Sequence, residues 1–190
     1  MKYNLVKFED LVQTIQSLPT IGKKTAQRLA YHIAINDPFL GKKLSFAIDN
    51  AIKHVKKCSN CGFISEDEIC NICLDELRDN TILCIVQNSK DIFAIEESSS
   101  YDGRYFVLEE LTIENIDKLK DLVSFNQTKE IIFAITPSLQ NEAFILFIED
   151  KLSSFNINFT KIAQGVPTGV SLENIDLLSL AKSMQIRVKA

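Results

Sequence analysis

Apolar residues recur at steps of three and four through the first 57 residues, which is the spacing of one buried face of an α-helix. The pattern predicts three helices, separated by Pro19 and by a turn at Asn36-Asp37-Pro38. The second helix follows Gly22. The apolar positions predicted to point inward are Leu5, Phe8, Leu11, Val12, Ile15 and Leu18 in the first helix, Ala26, Leu29, Ala30 and Ile33 in the second, and Leu40, Leu44, Ala47, Ile48, Ala51, Ile52 and Val55 in the third.

From about residue 80 the period changes, and continuous apolar runs replace the helical spacing. Three such runs, at 82–86, 105–108 and 131–135, are rich in β-branched and aromatic residues. Unbroken apolar runs suit strands that are buried on both faces, as in a parallel sheet. The other predicted elements are helices near 112–125 and 139–154, a strand at 158–163 and a last helix at 172–184. Strands that alternate with helices predict an α/β domain with a largely parallel sheet.

Length and composition exclude several classes of protein. The 190 residues are 46% hydrophobic and 24% charged, which is typical of a globular chain of one or two domains. The longest apolar runs span five or six residues, as at 143–148, whereas a membrane span needs about 20. The N-terminal Met1-Lys2-Tyr3-Asn4 does not begin a secretory signal. We therefore expect a cytoplasmic protein without a membrane segment, in a compartment where thiols stay reduced.

The net charge of −4 conceals an asymmetry along the chain. Residues 1–57 carry 10 Lys/Arg against 4 Asp/Glu, a net charge of +6, and residues 58–190 carry 11 against 21, a net charge of −10. Short segments vary in charge by chance, so the asymmetry alone does not establish a function. A basic N-terminal part on an acidic remainder nevertheless favours contact of the first zone with a polyanion.

Four of the five cysteines form two CxxC pairs, Cys58-x2-Cys61 and Cys70-x2-Cys73, with eight residues between the pairs. Each pair presents two thiolates from a tight turn, and four thiolates complete a tetrahedral site that selects zinc. Gly62, directly after the first pair, permits a positive φ in that turn. The spacing predicts one structural Zn²⁺ per chain, because a four-thiolate site leaves no position for a reactive water.

The alternatives for these cysteines are a disulfide pair or a redox CxxC. A reducing compartment disfavours the disulfide, and a redox motif does not need two adjacent copies. Cys84 lies inside an apolar run and is predicted to be a buried hydrophobic residue. The two histidines, His32 and His54, form no recognisable nucleophile set with the cysteines or with any serine.

A second motif lies between the first two helices, in Leu18-Pro19-Thr20-Ile21-Gly22. A turn that ends in glycine directs backbone N–H groups at the start of the next helix outward, where they can hold a phosphate. Lys24 and Arg28 are four residues apart and share one helix face, and Lys23 adds to the local positive field. This resembles a helix-hairpin-helix, which grips the DNA backbone without reading bases. The alternative is an ordinary turn between helices with solvated lysines.

Taken in order, the motifs resemble those of the RecR family of recombination mediators over nearly the whole chain. No single motif is decisive, but their order and spacing are specific. The residues that carry the resemblance are Leu18-Pro19 through Gly22, Thr25–Arg28, Cys58, Cys61, Cys70–Cys73, Asp91–Glu96, Gly103–Leu108, Ile162–Gly169 and Leu172-Glu173.

The resemblance implies a protein of recombinational DNA repair that helps to load recombinase onto single-stranded DNA. It implies a homo-oligomer, a dimer or a tetrameric ring, that works with RecO and in some lineages with RecF. Lys24 and Arg28 match the lysine and arginine with which the family contacts DNA. The implied parts are a helix-hairpin-helix DNA-binding region at 1–57, a four-cysteine zinc motif at 58–77, a Toprim-like α/β domain at 78–167 and a C-terminal segment for subunit contacts at 168–190.

The alternative to a DNA clamp is a Toprim-type enzyme that uses Mg²⁺ for phosphoryl transfer. Such a site needs clustered carboxylates at strand ends, one Glu after one strand and an Asp-x-Asp after another. Those places hold Gln87 and Thr136-Pro137-Ser138 here, and the carboxylates Asp91, Glu96 and Glu142 are nearby in sequence but do not make that pattern. The residues of this degenerate Toprim face are Gln87, Asp91 and Glu142. We therefore expect no catalytic residues. A zinc-stabilised transcription regulator would need a base-reading helix, and none is recognisable.

Overall fold

The computed structural model describes residues 5–163, 165–166 and 169–186. The chain forms two compact units that divide between Val55 and Lys56, and each is described by itself. Across the described part of the chain, no helix combines the length and the apolarity that crossing a membrane requires.

The N-terminal unit contains three α-helices and one π-helical segment, at α1 (Val6–Gln16), α2 (Lys23–Tyr31), His32–Asn36 (the π segment) and α3 (Pro38–His54). Its core is small. Val12 of α1 packs against Ala26 and Ala30 of α2, with partly buried apolar neighbours at Phe8, Leu11, Ile15 and Ile21. Small alanines let the two helices approach closely. Leu5 and Leu18, the first and last apolar positions of the first predicted helix, do not point inward as predicted and are about half exposed.

The prediction that α3 buries one apolar face is wrong within a single chain. The helix starts as its sequence indicates, because Asp37 accepts a hydrogen bond from the Leu40 N–H at 2.9 Å and Pro38 occupies the first turn. None of its residues is buried, however, and the exposed fraction of Ile52 is 77%. The physical reason is that α3 packs mainly on the short π segment, where Gly41 lies against Ile33. That segment is too small to cover the apolar face of a 17-residue helix.

The C-terminal unit is an α/β layer structure with a small cysteine-rich knuckle at its start, as predicted. Its elements are β1 (Lys56–Lys57), β2 (Ile64–Ser65), α4 (Asn71–Leu74), β3 (Asp79–Val86), α5 (Ser89–Glu97), β4 (Gly103–Val107), α6 (Ile113–Asn126), β5 (Glu130–Phe133), α7 (Leu139–Lys151), β6 (Asn158–Lys161), a 3₁₀ turn (Leu172–Asn174) and α8 (Leu177–Gln185). The four-stranded sheet has the order β4-β3-β5-β6, and all three strand pairs are parallel.

Successive residues of β3 alternate between two cores, one on each face of the sheet. Leu83 and Ile85 join the larger core with α6 and α7, and Cys84 and Val86 join the smaller one with Ile92 of α5. This explains the continuous apolar run, because both faces of a central parallel strand are covered. Cys84 is the buried hydrophobic residue that the sequence predicted, and burial raises the pKa of its thiol to about 12.

Candidate functional site

The four knuckle cysteines converge on one point. Their Sγ atoms all lie within 4.8 Å of one another, with Cys61 and Cys70 at 3.6 Å and Cys58 and Cys73 at 3.9 Å. Tetrahedral zinc with Zn–S bonds of about 2.3 Å separates its sulfurs by about 3.8 Å. The donor set and its spacing therefore fit one structural zinc ion, which the cysteine pattern predicted.

Local backbone geometry builds this zinc site. The β1–β2 ribbon brings the Cys58 N–H to the Phe63 carbonyl at 2.6 Å, and Gly62 closes the turn with a φ of +78°. The Cys70 N–H donates to Cys58 Sγ at 3.3 Å, and the Phe63 N–H donates to Cys61 Sγ at 3.5 Å. Backbone donors aimed at sulfur stabilise thiolates, which are the form that binds zinc.

The close approach of the thiols has an electrostatic consequence. Hydrogen bonds with Cys70 and Cys73, together with burial, raise the pKa of the Cys61 thiol far above its ordinary value. Bound zinc reverses this preference, because a divalent cation holds all four ligands as thiolates and releases their protons. Zinc affinity should therefore fall as the pH falls.

Arg104 ties the knuckle to the sheet, a role that the sequence analysis did not assign. Its guanidinium is buried and donates to the backbone carbonyls of Ile72 and Asp75, the latter at 2.8 Å, while Nε donates to Asn80 Oδ1 at 2.6 Å. The Val107 N–H also donates to the Cys61 carbonyl at 2.8 Å. The second CxxC pair is thus held from the β4 side by one side chain. No sequence signal could have found it, since the partners lie 24 to 32 residues away.

The helix-hairpin turn presents the start of α2 to solvent. Thr20 has a φ of +68°, so this position adopts the left-handed conformation for which hairpins of this kind usually use glycine. Gly22 is the N-cap of α2, and no side chain caps the first turn. The N–H groups of that turn are therefore available to an anion.

The structure places the three predicted DNA-binding residues on the exposed surface of α2. Lys24 and Arg28 line one open groove, whereas Lys23 lies outside the lining of that groove at the first position of the helix. Within the described ranges, none of the three forms a salt bridge with an acidic side chain. Their charge is therefore not neutralised within the described chain.

The edge of the sheet where a Toprim metal site would lie is occupied by neutral and paired side chains. Gln87 follows β3 and donates to Asn141 Oδ1 at 3.0 Å, and Asn141 donates in turn to the Thr136 carbonyl at 2.7 Å. Glu142 pairs with Lys161 at 3.0 Å. The side chain of Asp91 is exposed on the first turn of α5 and does not bond to these groups. The structure thus brings Gln87 and the Glu142 region together, but not Asp91.

Over the described ranges, the four cysteines are the one cluster of three or more metal-ligating side chains. The same end of the sheet instead borders a cavity of about 420 Å³ beneath α8, and both Lys161 and Lys182 belong to its lining. Glu96, the other carboxylate of interest, pairs with Arg78 away from this edge.

Comparisons with known proteins agree on one family. Residues 8–52 match the family described as "RecR, helix-hairpin-helix", and residues 55–75 match the zinc finger domain of RecR, which is described as having four cysteines. The chain is 53% identical to the protein named Recombination protein RecR of Campylobacter jejuni subsp. jejuni serotype O:6, and 51% identical to that of Nitratiruptor sp., over the full length of both chains. It is 43% identical to that of Helicobacter pylori strain Shi470, over all of this chain and 98% of the relative.

Proposed function

Since the chain belongs to the RecR family of recombination proteins, we propose that it is a non-enzymatic DNA clamp that acts as a mediator in recombinational DNA repair. In this role it binds DNA without sequence preference and, with RecO and in some settings RecF, helps to load recombinase onto single-stranded DNA. The role in recombination follows from the family, whereas the DNA contact, the oligomer and the lack of catalysis are supported by the surfaces of this chain.

The observation that carries the proposal is the cationic start of α2. Lys23 and Lys24 are exposed beside the uncapped N–H groups of the first turn, and Arg28 is exposed one turn after Lys24, so phosphate can meet both side-chain and backbone donors. Contacts of this kind position a protein on the DNA backbone and carry no sequence information. The basic residues 1–57 supply the surrounding field, and the acidic remainder is suited to face away from DNA or to meet a basic partner.

A homo-oligomer, either a dimer or a tetrameric ring, is proposed from the apolar surface of α3. Ile48 and Ile52 lie on the predicted apolar side of the helix with exposed fractions of 58% and 77%, and Phe39 and Phe46 lie on the opposite side with exposed fractions of 79% and 68%. Large exposed apolar side chains on both sides of one helix are typical of a subunit interface. The C-terminal segment, including α8, is proposed to provide further subunit contacts.

The absence of enzymatic activity is proposed from the chemistry of the sheet edge. A two-metal or one-metal phosphoryl transfer needs carboxylates free to bind Mg²⁺. Here Gln87 is a neutral amide bonded to Asn141, and Glu142 already pairs with Lys161. A cytoplasmic setting is proposed because zinc-bound thiolates persist where thiols stay reduced.

A titration with labelled, gapped duplex DNA in the presence of Mg²⁺ tests this proposal. We expect binding that weakens steeply as salt increases, with intact strands on a denaturing gel. Strand cleavage that persists in independently purified protein would overturn the non-enzymatic assignment. If the protein neither binds nor cuts alone, the same titration with RecO added decides whether loading depends on the partner; no binding there would contradict the proposed role.

A further inference from the structure

The groove beside the hairpin combines cationic and aromatic side chains. It has a volume of about 840 Å³, and its lining includes Phe8, Lys24, Arg28, Tyr31, His32 and Asn36. No acidic side chain belongs to this described lining. The volume lies within the range of about 300–1,000 Å³ that is usual for sites that bind small organic groups.

The helical spacing aligns these side chains. Lys24, Arg28 and Tyr31 follow one another at steps of four and three, so the cations and the ring share one face of α2. The exposed fraction of Tyr31 is 53%, which is high for a residue with a large ring. No other described aromatic ring stacks on it.

The backbone changes its winding directly after Tyr31. The π segment begins at His32, and the Asp37 N–H bonds to the His32 carbonyl at 2.8 Å across five residues. π-Helical turns are rare and frequently occur at functional sites. Here the wider turn coincides with the aromatic end of the groove, while Lys24, at the other end of α2, lies two residues after the N-cap Gly22.

We propose that this groove is a nucleobase subsite, in which an unpaired base of single-stranded DNA stacks on Tyr31 while Lys24 and Arg28 hold the adjacent phosphates. The inference rests on the proposed function and deepens it, because backbone contacts alone do not distinguish single strands from duplex. A base in a duplex is already stacked and cannot enter the groove, whereas every unpaired base has a free π-face. The subsite therefore makes the hairpin unit favour single strands or the single-stranded side of a gap.

The test compares three fluorescein-labelled probes of equal length: oligothymidine, an abasic sugar-phosphate strand and a duplex. Tyr31→Ala is expected to weaken oligothymidine binding by roughly 5- to 100-fold. Binding of the abasic strand and of the duplex should stay within about twofold. Tyr31→Phe, the matched control, retains the ring and should keep wild-type affinity for all three probes.

A second measurement does not depend on a variant that must fold. A strand with one 2-aminopurine is titrated with wild-type protein, and stacking on Tyr31 is expected to quench its fluorescence at saturation. Unchanged fluorescence at saturation would overturn the subsite. A Tyr31→Ala protein that keeps its affinity for oligothymidine would also overturn it. So would a Tyr31→Ala protein that loses affinity for oligothymidine and for the abasic strand equally.

These outcomes are distinguishable from failure of the proposed function. If Lys24→Ala with Arg28→Ala weakens all three probes but Tyr31→Ala has no selective effect, the subsite is wrong and the DNA-binding role stands. If wild-type protein binds none of the probes, alone or with RecO, the proposed function fails and the subsite fails with it.

Discussion

The two units of this chain differ in how completely they cover their own apolar residues. In the C-terminal unit, β3 and β5 lie at the centre of the sheet, and side chains such as Leu83, Ile85 and Ile131 are fully buried. In the N-terminal unit, α3 has no buried residue, and the described core consists of Val12, Ala26 and Ala30. The C-terminal unit therefore encloses a central sheet core, although side chains such as Leu139 and Leu177 stay exposed, whereas the N-terminal unit leaves the apolar side chains of α3 uncovered, and we propose that a second subunit covers them.

The units also differ in what stabilises their irregular parts. The knuckle of the C-terminal unit is held by four thiolates, by Arg104, by the hydrogen bond from Val107 and by the packing of Phe63 and Ile72 on the smaller sheet core. The hairpin of the N-terminal unit contains no metal ligand cluster in its described residues and rests on α1–α2 packing alone. We therefore expect loss of zinc to destabilise the C-terminal unit, and substitutions in α3 to affect the N-terminal unit.

Cys70→Ser should produce the largest effect. Three thiolates bind zinc much more weakly than four, and structural zinc in small fingers contributes on the order of 10 kcal/mol at neutral pH. We expect less than one zinc per chain by metal analysis and a markedly lower melting temperature. Asn60→Ala serves as the control, since Asn60 is exposed in the knuckle and contributes no thiolate. Full zinc content in Cys70→Ser would refute the four-cysteine site.

Ile52→Asp tests the exposed apolar side chains of α3, in the N-terminal unit. A carboxylate placed in an apolar interface costs several kcal/mol, so the oligomer that we propose should dissociate at micromolar concentration. Light scattering after size exclusion gives the mass, and zinc content should not change. Ile52→Leu preserves the apolar surface and should keep the oligomer. If the Ile52→Asp protein keeps the wild-type mass, this part of α3 does not belong to a subunit interface.

Arg104→Lys tests whether one side chain joins the knuckle to the sheet. A lysine cannot reach the Ile72 and Asp75 carbonyls and Asn80 together, so partly buried hydrogen bonds from a charged donor are lost, at a cost of about 2 kcal/mol. We expect zinc affinity to fall by roughly 10- to 100-fold in chelator competition, because outer partners orient the ligands. If the Arg104→Lys protein keeps wild-type zinc affinity, the turns of the knuckle hold the zinc ligands in place without Arg104.

The smallest effect concerns Glu96 and the pH. Burial tends to raise the pKa of Glu96, but hydrogen bonds from Arg78 and Tyr105 outweigh it and lower that pKa below the ordinary value. Its contribution is therefore present above the unfolded-state pKa and is lost as the pH falls through the folded-state pKa. Glu96→Gln should lower the free energy of unfolding by about 1 kcal/mol near pH 7 and by less in acid. Urea denaturation at both pH values measures this difference, and an equal loss at both would contradict it.

Much of this architecture could be predicted from sequence because local patterns determine it. The runs at 82–86 and 131–135 indicated strands covered on both faces, and the CxxC spacing indicated a four-thiolate site; both are confirmed. The α3 pattern showed which side of the helix is apolar but not what covers it, since periodicity carries no information about partners. Arg104 could not be assigned for a related reason: two of its three acceptors are backbone carbonyls, which leave no trace in the sequence, and the third, Asn80, lies 24 residues away.

The measurement that tests the central claim most directly is the salt dependence of DNA binding by Lys24→Ala with Arg28→Ala. Loss of two phosphate contacts should weaken binding to every sequence and reduce the slope of log K against log salt by about 2. Lys90→Ala with Lys129→Ala removes the same charge from exposed sites in the C-terminal unit and should leave that slope unchanged. A hairpin variant with the wild-type slope and affinity would contradict the account, because the start of α2 would then not contact DNA.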